Sequence, residues 1–374
     1  MQFRDLVKQY QVLKPELDKA MISTVASGGY IMGKPVKELE ASLAEYVGVK
    51  HCVTCGNGTD ALTLALKAWD VGKGDAVFVP DFTFFASAEV ISLEGATPVF
   101  VDVDAGTFNM DAADLERVVE KTAGEGMLTP KAIITVDLFG LPADYAAIRK
   151  IAGKYGLLIL EDGAQGFGGA IGGKRACSFG DISTTSFFPA KPLGCYGDGG
   201  AVFTNNDEWA AKMDSLRVHG KGSYKYDNVR IGMNSRLDTL QAAILQVKFK
   251  AFREYELTDI NRAASLYTAN LRGIVHTPVI PEGYYSSWAQ YTIRLNSKEE
   301  RDALQLRLKG NGVPSMVYYP TPMHRQTAYK SLNLPAGSCP VAVRLCDTVL
   351  SLPLHPYISE EDIEKVCHLI RTQG

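Results

Sequence analysis

Between residues 50 and 205, short apolar runs rich in β-formers alternate with stretches of helical periodicity. No other feature of the sequence restricts the fold as much. Ala76 to Pro80, Pro98 to Val103, Ala132 to Val136, Leu157 to Leu160, Ile182 to Phe188 and Ala201 to Thr204 read as strands, and Cys52-Val53-Thr54-Cys55 ends another. Thr59 to Trp69 and Tyr145 to Tyr155 carry apolar residues at helical spacing. Strands separated by helices pair through crossovers, so the pattern predicts a mostly parallel sheet covered by helices, an α/β sandwich.

After Asn234 the pattern changes to a long helical stretch, residues 235–271, followed by strand-like YTIRL at 291–295 and helix-like KEERDALQLRLKG at 298–310. A chain of 374 residues exceeds one usual compact domain. The expectation is a large domain over 1–245, opened by an N-terminal helical arm, and a smaller α+β domain over 246–374. No internal repeat or flexible linker interrupts either part.

Composition narrows the partners. A formal charge of -3 with both signs interspersed leaves no basic stripe for nucleic acid or anionic lipid. The N-terminus lacks the features of a signal peptide, and no apolar run approaches the roughly 18 residues of a membrane span, so the cytoplasm is the expected location. Seven cysteines with a single CxxC, Cys52 and Cys55, suit free thiols in a reducing compartment better than a metal site, and none is expected.

Three segments carry chemistry. Gly56-Asn57-Gly58-Thr59-Asp60 lies where a strand gives way to a helix, which suits a phosphate cradle and equally an ordinary capped helix start. Leu157 to Asp162 is an apolar strand ending in two acids, and ligands of open α/β sheets lie at the carboxyl ends of strands. Asp162 can pair there with a pyridine nitrogen or simply begin a turn. In Ser186 to Gly194 two prolines flank Lys191 and exclude regular structure around it. A lone lysine is ordinarily a solvated charge, so the case rests on the constellation. Gly197 to Gly200 reads as a tight turn into a strand.

With these segments in this order, the chain resembles the fold-type I nucleotide-sugar aminotransferases of the DegT/DnrJ type, which have an aspartate aminotransferase-like fold. The match includes FRDLVKQY at 3–10, GNGTDAL at 56–62, LEDGAQ at 160–165, SFFPAKPLGCYGDGGAVFTN at 186–205 and NSRLDTLQAAIL at 234–245. The resemblance implies pyridoxal phosphate (PLP) as cofactor, with Lys191 as its Schiff-base lysine and proton shuttle, Asp162 on the pyridine nitrogen and Gln165 near the ring. It further implies that Phe82 stacks on the cofactor and that Gly58, Thr59 and Ser186 hold its phosphate. Asn234 would reach the phosphate of a neighbouring subunit, making the enzyme a homodimer with shared active sites.

Relatives with histidine in place of the lysine perform dehydration, so Lys191 implies amino transfer from an amino acid such as glutamate to a nucleotide-linked keto sugar. The stretch Lys191 to Ala201 is similar to that of relatives acting on 3-keto sugars, nearest to those that aminate UDP-2-acetamido-2-deoxy-3-keto-hexuronic acid, where Arg236 would contact the sugar nucleotide. Val317-Tyr318-Tyr319-Pro320 departs from that group, which often has histidine before the second tyrosine. Tyr319, His324 and His355 are candidate substrate residues by position, or polar residues on proline-bounded loops. The alternatives are an aminotransferase for a 4-keto sugar or keto-inositol, and a non-catalytic relative that binds or regulates. The Gly56 to Asp60 segment fits neither GxGxxG nor the P-loop pattern.

Overall fold

A computed structural model of the chain describes residues 1–224, 226–335 and 337–372. Two N-terminal helices, α1 (Leu6–Ser27) and α2 (Lys34–Val47), precede β1 (His51–Cys55), α3 (Gly58–Ala68), β2 (Asp75–Pro80), α4 (Ala86–Leu93) and β3 (Thr97–Val101). There follow α5 (Ala112–Glu125), β4 (Thr129–Val136), α6 (Tyr145–Tyr155), β5 (Leu158–Asp162), β6 (Ala170–Ile171), β7 (Lys174–Arg175), β8 (Ile182–Ser186), β9 (Gly200–Thr204) and α7 (Asp207–Leu216). The last part holds α8 (Thr239–Ala251), α9 (Leu257–Leu271), β10 (Tyr284–Tyr285), β11 (Tyr291–Arg294), α10 (Lys298–Gly310), α11 (Pro340–Thr348), β12 (Val349–Leu352) and α12 (Glu360–Arg371).

The central sheet has the order β1-β9-β8-β5-β4-β2-β3, and β9 alone runs against the rest. Both faces are buried, which explains the near-continuous apolar strands. On one face Val77, Val79, Ala132 and Ile134 pack with Leu62, Leu66 and Ile91 of α3 and α4. On the other, Ala76, Phe78 and Ile133 pack with Leu115, Val119, Ile148 and Ile151 of α5 and α6. Asp5, Asn57, Asp111, Asp144, Asn206, Ser297 and Ser359 cap seven helices through side-chain oxygens that accept a backbone N–H three residues on.

Three expected elements differ. The strand expected at Pro98 to Val103 stops at Val101, and that at Ile182 to Phe188 stops at Ser186, where the chain bends toward Pro189. The long helix begins at Thr239, because Val218 and Asn234 pair as an isolated bridge and the Ser235 N–H donates to the Arg217 carbonyl. Its middle is a π-helical turn, Phe252–Glu256, that joins α8 to α9, and residue 245 lies inside α8. A second sheet, β11 with β12, packs with α9, α10 and α12. Among the described residues no helix is long and apolar enough to cross a membrane.

Candidate active site

The neighbouring strands β5 and β8 end side by side and bring candidate residues together there. Asp162 is the last residue of β5 and 5% exposed. Its Oδ2 accepts from the Ser87 hydroxyl at 2.8 Å and its Oδ1 from the Ala164 N–H at 3.2 Å. Burial raises its pKa, while Ser87, Ala164 and Lys191 pull it back down. A cationic partner set against this carboxylate would therefore keep it ionised. Gln165 is also buried: its Oε1 accepts from the Phe139 N–H at 2.8 Å and its Nε2 donates to the Tyr319 hydroxyl at 3.0 Å. Burial pushes the Tyr319 phenol up, so it stays neutral and available as a donor.

Lys191 sits in a loop closed at its base by the Cys195 N–H on the Phe187 carbonyl at 2.8 Å. The loop is tight because residue 194 is glycine: a Cβ there would lie 2.5 Å from the Pro189 carbonyl oxygen. Burial is the main reason that the amine is less basic than an ordinary lysine; Arg4 adds to the effect and Asp162 opposes it. Such a lysine deprotonates readily, as a Schiff-base residue must.

A third group of residues meets at the N-terminus of α3. The Asn57 side chain accepts from the Asp60 N–H at 2.8 Å, which leaves the N–H groups of Gly58 and Thr59 pointing out of the helix. Gly200, where β9 begins, lies between the ends of β1 and β8, and a Cβ on it would come 2.4 Å from the Asn57 carbonyl oxygen. Likewise, a Cβ on Gly58 would come 2.7 Å from the Ser186 Cβ. Glycines thus bring three backbones together around the end of a helix dipole, beside the hydroxyls of Thr59 and Ser186. An acid at a strand end, a lysine of lowered basicity and this anion cradle fit PLP group for group.

The structure places the Phe82 side chain in the interior. That ring is 1% exposed, with Phe108, Phe139 and Tyr319 around it at centroid distances of 6.4, 6.3 and 6.1 Å. Two residues on, Phe84 is 54% exposed beside Tyr319. Sequence could not choose between them, since the chain leaves β2 through a turn where strand alternation fails. Ser87 was also missed, because a serine in the first turn of a helix reads only as a good terminus residue.

His324, His355, Asn234 and Arg236 are set on other segments of the chain. The His324 ring is held through Nδ1 by Asp81 Oδ2 at 2.6 Å, and the His324 backbone N–H donates to Asp81 Oδ1 at 2.8 Å. Cys339 lies close to the same carboxylate. The 2.6 Å gap is that of a hydrogen bond and is tighter than the roughly 3.4 Å between two tetrahedral zinc ligands. His355 is buried behind Arg4 and Asp5, and burial depresses its pKa to about 4, so it is neutral. Asn234 is exposed and Arg236 half-buried, on the segment just before α8. Ser235, between them, accepts from the Gly56 N–H at 2.9 Å and donates to Asp60 at 2.6 Å, tying that segment to the cradle.

Comparison with known proteins agrees with this geometry. Residues 11–371 match the model of the DegT/DnrJ/EryC1/StrS aminotransferase family. The chain is 43% identical to a UDP-2-acetamido-2-deoxy-3-oxo-D-glucuronate aminotransferase of Pseudomonas aeruginosa, covering 98% of both. It is also similar to the crystal structure of an aminotransferase of this family from Brucella abortus, with a TM-score of 0.96 and 49% identity over 99% of this chain and 98% of that one. A more distant structure, NtdA of Bacillus subtilis, was solved with bound cofactor PMP; it has a TM-score of 0.85 and 28% identity over 96% of this chain and 82% of that one. The chain thus belongs to the DegT/DnrJ/EryC1/StrS aminotransferase family and is a PLP-dependent aminotransferase.

Proposed function

We propose that this enzyme moves an amino group from an amino acid, glutamate first among the candidates, to a nucleotide-linked 3-keto sugar of the UDP-2-acetamido-2-deoxy-3-keto-hexuronic acid type. The observation that carries the reading is that Asp162 ends β5 while Lys191 lies on the loop after its parallel neighbour β8, near enough for each charge to influence the other. A relative acting on a UDP-3-oxo-glucuronate along nearly the whole chain supports the sugar. So does an Acidithiobacillus ferrooxidans relative, 41% identical over 98% of this chain, named a UDP-N-acetyl-3-dehydro-alpha-D-glucosamine 3-aminotransferase.

When bound, PLP supplies an electron sink for the carbanion formed at the amino-bearing carbon. Asp162 keeps a proton on the ring nitrogen through a charge-assisted hydrogen bond, worth about 1.5–3 kcal/mol. Ser87 and the Ala164 N–H aim its carboxylate. Lys191 would hold the cofactor and, with its lowered basicity, would serve as the base and acid that moves the proton. Phe84 would cover the ring, and Gly58, Thr59 and Ser186 would hold the phosphate. Donor and acceptor use one site in turn, which gives ping-pong kinetics.

Arg236 and Tyr319 are assigned to the substrate side, and His324, through Asp81, to fixing the loop that carries Phe82 and Phe84. The homodimer is part of the same reading, with Asn234 serving the neighbouring subunit. The exposed side chains of Val229 and Ile231, 55% and 91% accessible just before Asn234, support it as a surface awaiting a partner. Residues 1–245 are read as the cofactor-binding unit and 246–374 as the small unit. The test is a visible spectrum of the purified protein with PLP, before and after glutamate and then a panel of UDP- and dTDP-linked keto sugars. A band near ~400–430 nm that shifts with glutamate and returns with a UDP-3-keto sugar is expected. Return only with a 4-keto sugar would refute the sugar assignment, and no band would refute the lysine.

A further inference from the structure

The motif FRDLVKQY at residues 3–10 has no part in the cofactor chemistry described so far. Its place in the fold gives it one. Lys191 has no helix or strand to hold its backbone: its N–H donates to the Phe188 carbonyl at 2.9 Å, and Pro192 follows it. Among the described residues the donor to the Lys191 carbonyl is the Arg4 guanidinium, through Nη2 at 3.1 Å. Arg4 is anchored on both sides. The Phe3 carbonyl accepts from the Leu354 N–H at 3.3 Å, and the Phe3 ring meets Tyr318 edge-on at 6.2 Å. Asp5 caps α1, and Gln9 donates to Glu256 of the π-turn at 2.8 Å. The Arg4 Nη1 is buried and has no hydrogen-bond partner among the described residues.

We propose that Arg4 is a positioning residue for Lys191: its guanidinium fixes the lysine carbonyl and sets a permanent positive charge behind the amine. The N-terminal arm thereby governs how readily Lys191 captures the cofactor. The inference rests on Lys191 being the cofactor lysine. The charged groups facing Lys191 are Asp162 from β5 and Arg4, and around Arg4 stand Glu256, Lys248 and His355. Asp162 favours the ammonium form and Arg4 disfavours it. In the capture step the neutral Nζ adds to the PLP aldehyde carbon, a carbon–nitrogen double bond forms, and one water leaves.

The experiment mixes apoenzyme with PLP and follows growth of the visible band against pH, for wild type, Arg4→Met and Arg4→Lys, with a thermal melt of each. Arg4→Met should move the midpoint of the pH–rate profile up by about half a unit and slow capture near neutrality about threefold. Arg4→Lys should keep the wild-type midpoint even if looser contact with the carbonyl weakens cofactor retention. If Arg4→Met does not fold, Arg4→Gln provides the neutral arm. A neutral variant that captures PLP with the wild-type midpoint and rate overturns the role of Arg4 alone. A wild type that forms no band overturns the Lys191 assignment and this proposal with it.

Discussion

At the end of β5 two adjacent acids face opposite sides of the sheet. Glu161, 0% exposed, accepts from the Phe179 and Gly180 N–H groups at 2.7 and 3.1 Å, from the Ser183 hydroxyl at 2.7 Å and from the Cys177 N–H. Asp162 has the Ser87 hydroxyl and the Ala164 N–H. Burial raises the pKa of both. They differ in unused accepting capacity: Glu161 accepts four hydrogen bonds from its own protein, while Asp162 accepts two and feels the charge of Lys191. A buried acid with full partners holds a fold together, and a buried acid with few partners awaits a ligand.

Substitutions that separate function from stability test this contrast. Lys191→Ala should cut turnover by at least about 10⁴-fold and abolish the visible band, with little change in melting temperature; covalent PLP persisting in that variant would remove Lys191 from its role. Asp162→Asn preserves shape but cannot keep the ring nitrogen charged. A rate loss of about 10²- to 10⁴-fold with cofactor still bound is expected, and near-normal turnover would break the comparison on the Asp162 side.

On the opposite face, Glu161→Gln exchanges one acceptor for a donor that confronts backbone N–H groups. A loss of about 3 kcal/mol in denaturant unfolding is expected, with the rate per folded molecule unchanged; a specific rate defect at full stability would mean that the two faces are not independent. Phe84→Ala should weaken PLP binding about tenfold, measured by titrating apoenzyme, without destabilising the fold. Phe82→Ala should do the reverse.

The smallest effect concerns pH. Asp137, also on the far face, is held well above the ordinary carboxylate range, first by burial and then by the nearby Glu161. A folded-state pKa above the unfolded value means that the native protein binds more protons than the unfolded chain. This part of the stability is present at low pH and falls as pH rises from the ordinary carboxyl range toward the raised value. Asp137→Asn should flatten that decline by at most about 1.4 kcal/mol per pH unit, read from unfolding free energies; an unchanged slope would clear Asp137 of the effect.

Much of this was legible in the sequence because it is encoded locally. Strand–helix alternation follows from periodicity, and the helix over Tyr145–Tyr155 begins after the capping residue Asp144. Two prolines around a lysine declare irregular backbone, and Gly-Asn-Gly-Thr declares a capped helix start with Asn57 as the cap. The long helical stretch from residue 235 was only partly readable. Asn234 to Leu237 have no local signal against helix, and the bridge of Asn234 to Val218 and the tie of Ser235 to Gly56 hold them extended.

The sequence by itself determined the α/β class, the order of the elements and the residues able to do amine chemistry, since each depends on spacing and residue type within a few turns of chain. Tertiary structure alone decided which face each side chain meets. It buried Phe82 and exposed Phe84, gave Asp162 to Ser87 and Glu161 to a ring of backbone amides, and joined His324 to Asp81 across 243 residues and Arg4 to Lys191 across 187. Those pairings arise where distant segments converge on the ends of the strands, and no local pattern encodes which distant segments meet there.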